Sequence, residues 1–214
     1  MSLRYIDFTI VVVRLFPDKT PFLGISDLSP IPYLCGNKPF NVDTMKKIGI
    51  FYGSSTGTCE ALAEQLAQEL GVSSTDVASA DQLTTDRIAA YDMLLLGTST
   101  WGDGELQDDW YDAIERLKQE NLTDKFVALF GCGDSVSYSD TFCDGMGILY
   151  ENLLNTGCSF LGNAVDTDDY LFDHSIAVVD GHFVGLPLDE VNESDQTAQR
   201  IQTWAHQLKE ALSL

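Results

Sequence analysis

Three unbroken apolar runs dominate the chain after Met45: Lys47–Tyr52 (KIGIFY), Asp92–Gly97 (DMLLLG) and Phe126–Phe130 (FVALF). Each run gives way to a loop and then to a stretch with helical periodicity. Gly57–Leu70 carries apolar residues at 62, 66 and 70 with alanines at 61, 63 and 67. Further helices are expected from about Gln107 to Gln119, from about Thr141 to Thr156, and over Asp195–Leu212, where Ile201, Trp204, Leu208 and Leu212 form one stripe. A strand that is apolar at successive positions is buried on both faces, and its alternation with helices demands parallel strands joined by right-handed crossovers. The expected fold is therefore an α/β, doubly wound parallel sheet. Ligands of such sheets sit outside the carboxyl ends of the strands, which directs attention to loops 53–59, 98–106 and 131–140.

A chain of 214 residues, 44% hydrophobic, suffices for one well-cored domain plus an appendage. Residues 1–45 hold four basic and four acidic residues, so the whole formal charge of −21 lies after Met45. Such a charge excludes nucleic acid as a partner, because phosphate backbones require a positive surface. It suits a basic protein partner. Residues 17–44 contain five of the six prolines and no sustained period, so 1–45 reads as a loop-rich N-terminal extension and 46–214 as the domain. Met45-Lys-Lys-Ile opens directly onto the first strand, and two readings of 1–45 stay open: a docked or disordered extension, or a segment outside the natural product. The five cysteines (Cys35, Cys59, Cys132, Cys143, Cys158) are odd in number and show no C-x-x-C spacing, which fits a reducing, cytoplasmic compartment. No window reaches 18 apolar residues, and no membrane partner is expected. The apolar Ile6–Phe16 contains Asp7 and Arg14 and lacks a following cleavage site, unlike a signal peptide.

The first loop, FYGSSTGTCE (51–60), offers the hydroxyls of Ser54, Ser55, Thr56 and Thr58 together with the amides of a helix N-terminus. That is anion-binding chemistry, although a serine-rich N-cap would look alike. The loop has neither Gly-Lys-Ser/Thr nor G-x-G-x-x-G, so it is neither a Walker loop nor a dinucleotide fingerprint. A phosphate held by neutral donors alone suits a resident cofactor better than an exchanging nucleotide. The second loop, TSTWGDGEL (98–106), places Trp101 where it stacks on a planar ligand or caps the next helix. The third, GCGDSVSYSD (131–140), brings Tyr138 to the same edge. Two aromatics and a phosphate seat on three loops describe a site for a flat ring on a phosphorylated tail.

No paired general acid and base, nucleophile triad or metal cluster emerges. His174, His182 and His206 lie far along the chain from these loops, and the acids of Asp166–Tyr170 lack the glycine of a calcium loop. Whatever chemistry occurs must come from a cofactor.

On FYGSSTG, TSTWGDGELQDDW (98–110) and FGCGDSVSYSDTFCDGMG (130–147), residues 46–214 resemble a flavodoxin of the long-chain type. Asp166–Gly185, interrupting a last strand made of Ser159–Val165 and Leu186–Leu188, resembles the insertion that marks long-chain members. The resemblance implies a five-stranded parallel sheet of order 2-1-3-4-5 in a three-layer sandwich, with FMN held non-covalently. Carried over by position, Ser54, Ser55, Thr56, Gly57 and Thr58 match the phosphate loop. Trp101 matches the inner stacking residue, Tyr138 the outer one, and Thr100 a contact near the ribityl chain. Gly102 and Asp103 match the peptide that turns its carbonyl toward flavin N5 on one-electron reduction, and Gly131, Cys132, Gly133 and Asp134 belong to the third cofactor loop. The family loop commonly ends in Thr where this chain has Cys59, so one hydroxyl donor is missing, a loss of roughly 1.5–3 kcal/mol unless Thr58 replaces it.

The function so implied is a monomeric, low-potential one-electron carrier rather than an enzyme. Its expected partners are basic-surfaced redox proteins such as a flavodoxin/ferredoxin NADP reductase or a 2-oxoacid oxidoreductase. A rival is an FMN-dependent NAD(P)H reductase of quinones, which needs an open ring face. A flavin-free binding module is the third reading, since fold alone does not set function.

Overall fold

The computed structural model describes residues 46–212. The expected extension 1–45, with Cys35, lies outside the described residues. The first apolar run forms β1 (Ile48–Gly53) and is followed by α1 (Thr58–Leu70). Gly71 ends that helix, and the Val72 N–H returns to the Ala67 carbonyl at 2.8 Å. A short strand β2 (Val77–Ser79), flanked by single 3-10 turns, leads to α2 (Thr85–Ala90), whose first turn is capped by the Thr84 hydroxyl accepting from the Arg87 N–H. The second run forms β3 (Met93–Trp101), then β4 (Glu105–Leu106) and α3 (Trp110–Gln119). The third forms β5 (Phe126–Cys132), followed by α4 (Asp144–Leu153). Short strands β6 (Ser159–Phe160), β7 (Val165–Asp166), β8 (Val178–Val179), β9 (His182–Phe183) and β10 (Leu186–Leu188) precede the final helix α5 (Ser194–Leu212).

The main sheet runs β2-β1-β3-β5-β10, all parallel. The fifth position is shared. β6 pairs with the start of β5, Phe126 opposite Ser159, and β10 pairs with its end, Cys132 opposite Leu188. With these two pieces counted as one strand, the order is 2-1-3-4-5 as expected. Side chains alternate between two cores on opposite faces of the sheet, as a pleated strand requires. Leu94, Leu96, Val127 and Leu129 face a cluster built with α3, α4 and Phe183, whereas Met93, Leu95, Ala128 and Phe130 face α1 and α5. Full burial of each such side chain contributes about 1.5–3 kcal/mol, which explains why the runs are apolar without interruption.

Several boundaries differ from the sequence-based expectation. The stretch 98–106 is not an open loop, because β3 continues to Trp101 and β4 folds back antiparallel on it, Thr100 opposite Leu106. The third run extends to Cys132, so Gly131 and Cys132 are strand residues. The helices expected at about 107 and 141 begin at Trp110 and Asp144, the intervening residues forming turns. Val165 leaves the main sheet: β7, β9 and β8 make a separate three-stranded antiparallel sheet within the insertion. That sheet stands on a ring cluster in which Phe142 and Tyr170 each contact Phe183, and the Arg200 guanidinium stacks 4.0 Å above Tyr170. No helix among the described residues is long and apolar enough to cross a membrane.

Candidate functional site

The adjacent strands β1, β3 and β5 end at one edge of the sheet, with Gly53 opposite Thr98 and Ser99 opposite Cys132. The three predicted segments therefore meet in space. In the first, Gly57 takes a left-handed conformation (φ 88°) at the start of α1, and no side chain caps the helix. Its first-turn amides are open to an anion, aided by the helix dipole. Ser55 and Thr56 are exposed beside it, while Ser54 accepts the Gly57 N–H at 3.1 Å and thereby shapes the turn. The hydroxyls of Thr56 and Thr58 lie 3.4 Å apart.

Cys59 is fully buried among Leu62, Ala63 and Leu66. Burial, together with a hydrogen bond to Cys132, pushes its thiol well above the ordinary range. It is an inert core group rather than a polar donor.

In the second segment, Trp101 is 41% exposed, and its indole N–H donates to the Ser99 hydroxyl at 2.9 Å. The ring is thus oriented without being covered. Gly102 (φ 52°) and exposed Asp103 form the tip of the hairpin, and a side chain at 102 would be strained there. The Thr100 hydroxyl accepts the Gly145 N–H at 3.1 Å, tying the hairpin to the start of α4 while its own hydrogen remains available.

In the third segment, Tyr138 is 57% exposed. Gly131 and Cys132 are buried, and the Cys132 side chain belongs to the α1–α5 core, so only the backbone here is offered to the edge. Gly133 donates its N–H to the Leu188 carbonyl at 3.1 Å. Asp134 accepts from the Ser137 and Val136 amides at 2.8 and 3.1 Å and from the Asn192 side chain at 2.9 Å. These bonds, led by that from Ser137, hold its carboxyl below the usual value and make it a loop-former.

Several contributors had no signal in the sequence because their partners are remote. Gln107, nearly fully buried, donates to the Ser55 hydroxyl at 3.2 Å. The insertion reaches the third loop, where the Asp173 and His174 amides both donate to the Ser139 carbonyl at 2.9 and 3.0 Å. His174 is thus close in space to a loop from which it is distant in sequence. Among the described residues no group of His, Cys, Asp and Glu could hold a metal ion. No lysine or arginine occurs within 53–59, 98–106 or 131–140, whereas Asp103, Glu105, Asp134 and Asp140 do.

An uncapped helix start for an anion and two exposed aromatic side chains suit one class: parallel α/β domains that hold a flat, phosphorylated ligand at the carboxyl edge of the sheet. The chain belongs to the flavodoxin family, whose family model, described as Flavodoxin, matches residues 50–204. It is 42% identical over 170 residues to Flavodoxin 1 of Azotobacter vinelandii, covering 78% of this chain and 97% of that protein. It is 44% identical over 174 residues to the flavodoxin of Synechococcus elongatus, covering 79% of this chain and all of that one. Among solved structures, the Fusobacterium nucleatum flavodoxin bound to flavin mononucleotide superposes with a TM-score of 0.71 at 29% identity, over 78% of this chain and 99% of that one.

Proposed function

We propose that residues 46–214 are a one-electron carrier that works through non-covalently bound FMN and shuttles electrons between redox enzymes. The observation that carries this reading is the convergence of the open α1 start at Gly57 with the exposed rings of Trp101 and Tyr138 at one sheet edge. The residues fit FMN in charge and shape: amides and neutral hydroxyls for a phosphate, and two aromatic planes for a ring. When bound, FMN supplies a ring that accepts and releases electrons singly.

The chain's own residues decide how that ring is used. Ser54, Ser55, Thr56, Gly57 and Thr58 anchor the phosphate, and Trp101 and Tyr138 hold the ring and exclude water from its faces. Thr100 offers a hydroxyl toward the ribityl chain, and Gly131, Cys132, Gly133 and Asp134 contribute backbone. Gly102, already at positive φ, lets the Gly102–Asp103 peptide turn at low cost, so its carbonyl can accept a hydrogen bond from a ring N–H. Carboxylates around the edge, with no basic side chain in the three loops, disfavour added negative charge and so make the carrier a strong reductant.

The same acidic field steers the protein to basic surfaces, such as those of a flavodoxin/ferredoxin NADP reductase or a 2-oxoacid oxidoreductase. The carrier is proposed to act as a monomer in the cytoplasm. Stopped-flow mixing of the FMN-loaded, photoreduced protein with a basic one-electron acceptor such as cytochrome c tests the reading. Single-electron transfer whose rate falls steeply with ionic strength is expected. Failure to reduce the acceptor, or a rate that does not change with ionic strength, would contradict it.

A further inference from the structure

Asp189 is fully buried at the end of β10, yet among the described residues no ionic partner faces it. Its carboxylate is satisfied by hydrogen bonds alone. One oxygen accepts the Ser135 amide at 2.9 Å, the Ser135 hydroxyl at 2.6 Å and the Asn192 side-chain amide at 2.9 Å. The other accepts the Val191 and Asn192 backbone amides, each at 2.9 Å. Burial alone would raise this carboxyl, but the bonds from Ser135 and Asn192 outweigh it and hold the group below its ordinary value. The ion is therefore retained.

The two bonds from Ser135 tie the carboxylate to the third loop, and the other three hold the turn that starts α5, from which Asn192 reaches the same loop. Asn192 donates to both Asp189 and Asp134, Asp134 closes the turn through Val136 and Ser137, and the Asp134 carbonyl accepts the Tyr138 N–H at 3.0 Å. Tyr138 itself is more than half exposed, and its carbonyl accepts the Thr141 N–H at 3.1 Å. One tie on its loop is thus a chain of hydrogen bonds that begins at a residue more than fifty positions away, and the Asp173–His174 clasp on Ser139 is the other.

On the reading of Tyr138 as a ring-stacking residue, we infer that Asp189 is a positioning residue for FMN: through Ser135, Asn192 and Asp134 it holds the loop that presents Tyr138 to the flavin. Asp189→Asn keeps an acceptor for the Val191 and Asn192 amides but places an amino group against the Ser135 N–H. The turn that starts α5 survives, and the third loop is released.

The test is a double-mutant cycle on FMN affinity, measured by titrating flavin-free protein and following loss of flavin fluorescence. Asp189→Asn is expected to raise Kd about tenfold, the loss of one hydrogen bond to a charged group, and by a clearly smaller factor in a Tyr138→Ala background. The visible circular dichroism of bound FMN should change with Asp189→Asn alone. An unchanged Kd, or the same factor in both backgrounds, would overturn the inference, since a merely structural residue acts whether or not Tyr138 is present. Asn192→Ala, at an exposed position, repeats the cycle from the other end of the network should Asp189→Asn fail to fold. If Tyr138→Ala alone leaves Kd unchanged, the stacking role of Tyr138 falls and this inference falls with it; if Tyr138→Ala weakens binding while Asp189→Asn does not, only the positioning role is lost.

Discussion

The Gln107 side-chain amide donates to the Ser55 hydroxyl at 3.2 Å, joining the turn before α3 to the loop before α1 across 52 residues. Its carbonyl oxygen accepts the Asp109 N–H at 2.9 Å, so the amide orientation is set from both ends. Gln107→Ala should lower FMN affinity by about tenfold and stability by about 1 kcal/mol, because the part-buried Asp109 N–H loses its acceptor. Riboflavin, which lacks the phosphate, should bind both proteins equally. Parallel titrations with the two flavins, and urea unfolding of the flavin-free proteins, check this.

Trp101→Ala should separate binding from folding. The side chain is 41% exposed and its indole N–H bonds to Ser99, so flavin-free stability should change by no more than about 1 kcal/mol. FMN affinity should fall by roughly 10- to 100-fold, the range for loss of one aromatic stacking partner of a flat heterocycle. Isothermal titration calorimetry reads the second effect, and an unchanged affinity would sink the stacking assignment.

Gly102 at φ 52° should tolerate no side chain without strain. Gly102→Ala is expected to destabilise the flavin-free protein by about 1 kcal/mol, read from the urea midpoint. With FMN bound, it should also lower the yield of the singly reduced ring during photoreduction, because turning the 102–103 peptide becomes costly.

Asp144 gives a pH prediction of defined sign. It is buried at the start of α4, its Oδ1 accepting the Ile176 N–H at 2.9 Å. Burial raises its carboxyl above the ordinary value despite the opposing hydrogen bonds from Ile176 and Ser175 and the nearby His174. The folded state therefore binds the proton more tightly than the unfolded state. Its contribution to stability is fully present below the unfolded value of about 3.9 and is lost as pH rises through the folded value. Asp144→Asn should accordingly unfold at a higher urea concentration than the parent at pH 7, and the difference should shrink toward pH 4. A difference that grows on acidification would contradict this.

The long parallel strands were legible because burial on both faces leaves an apolar run that nothing else produces. β2 was not, since Val77–Ser79 is three residues long and sits at the sheet edge with only Ala78 buried. The 98–106 hairpin was hidden because its polar and glycine-rich residues look like any loop, and only the backbone pairing of Thr100 with Leu106 reveals a strand. The loops that carry the candidate site were legible for the opposite reason: Trp101 and Tyr138 are large aromatics where a core has no use for them. Gln107, Asp189 and the Asp173–His174 clasp were illegible because hydrogen bonds between distant segments leave no spacing in the sequence. The direction of the Cys59 side chain is not legible, because position along a loop does not tell which way a side chain faces; in the fold it lies in the core and adds no donor to the loop.

The most direct test is stepwise anaerobic photoreduction of the FMN-loaded protein, followed in the visible. The account predicts that a long-wavelength absorbance, the mark of a ring holding one electron, rises and then decays before the flavin bleaches. Bleaching without that band, or failure of the protein to retain FMN, would contradict the assignment of the site as that of a one-electron carrier.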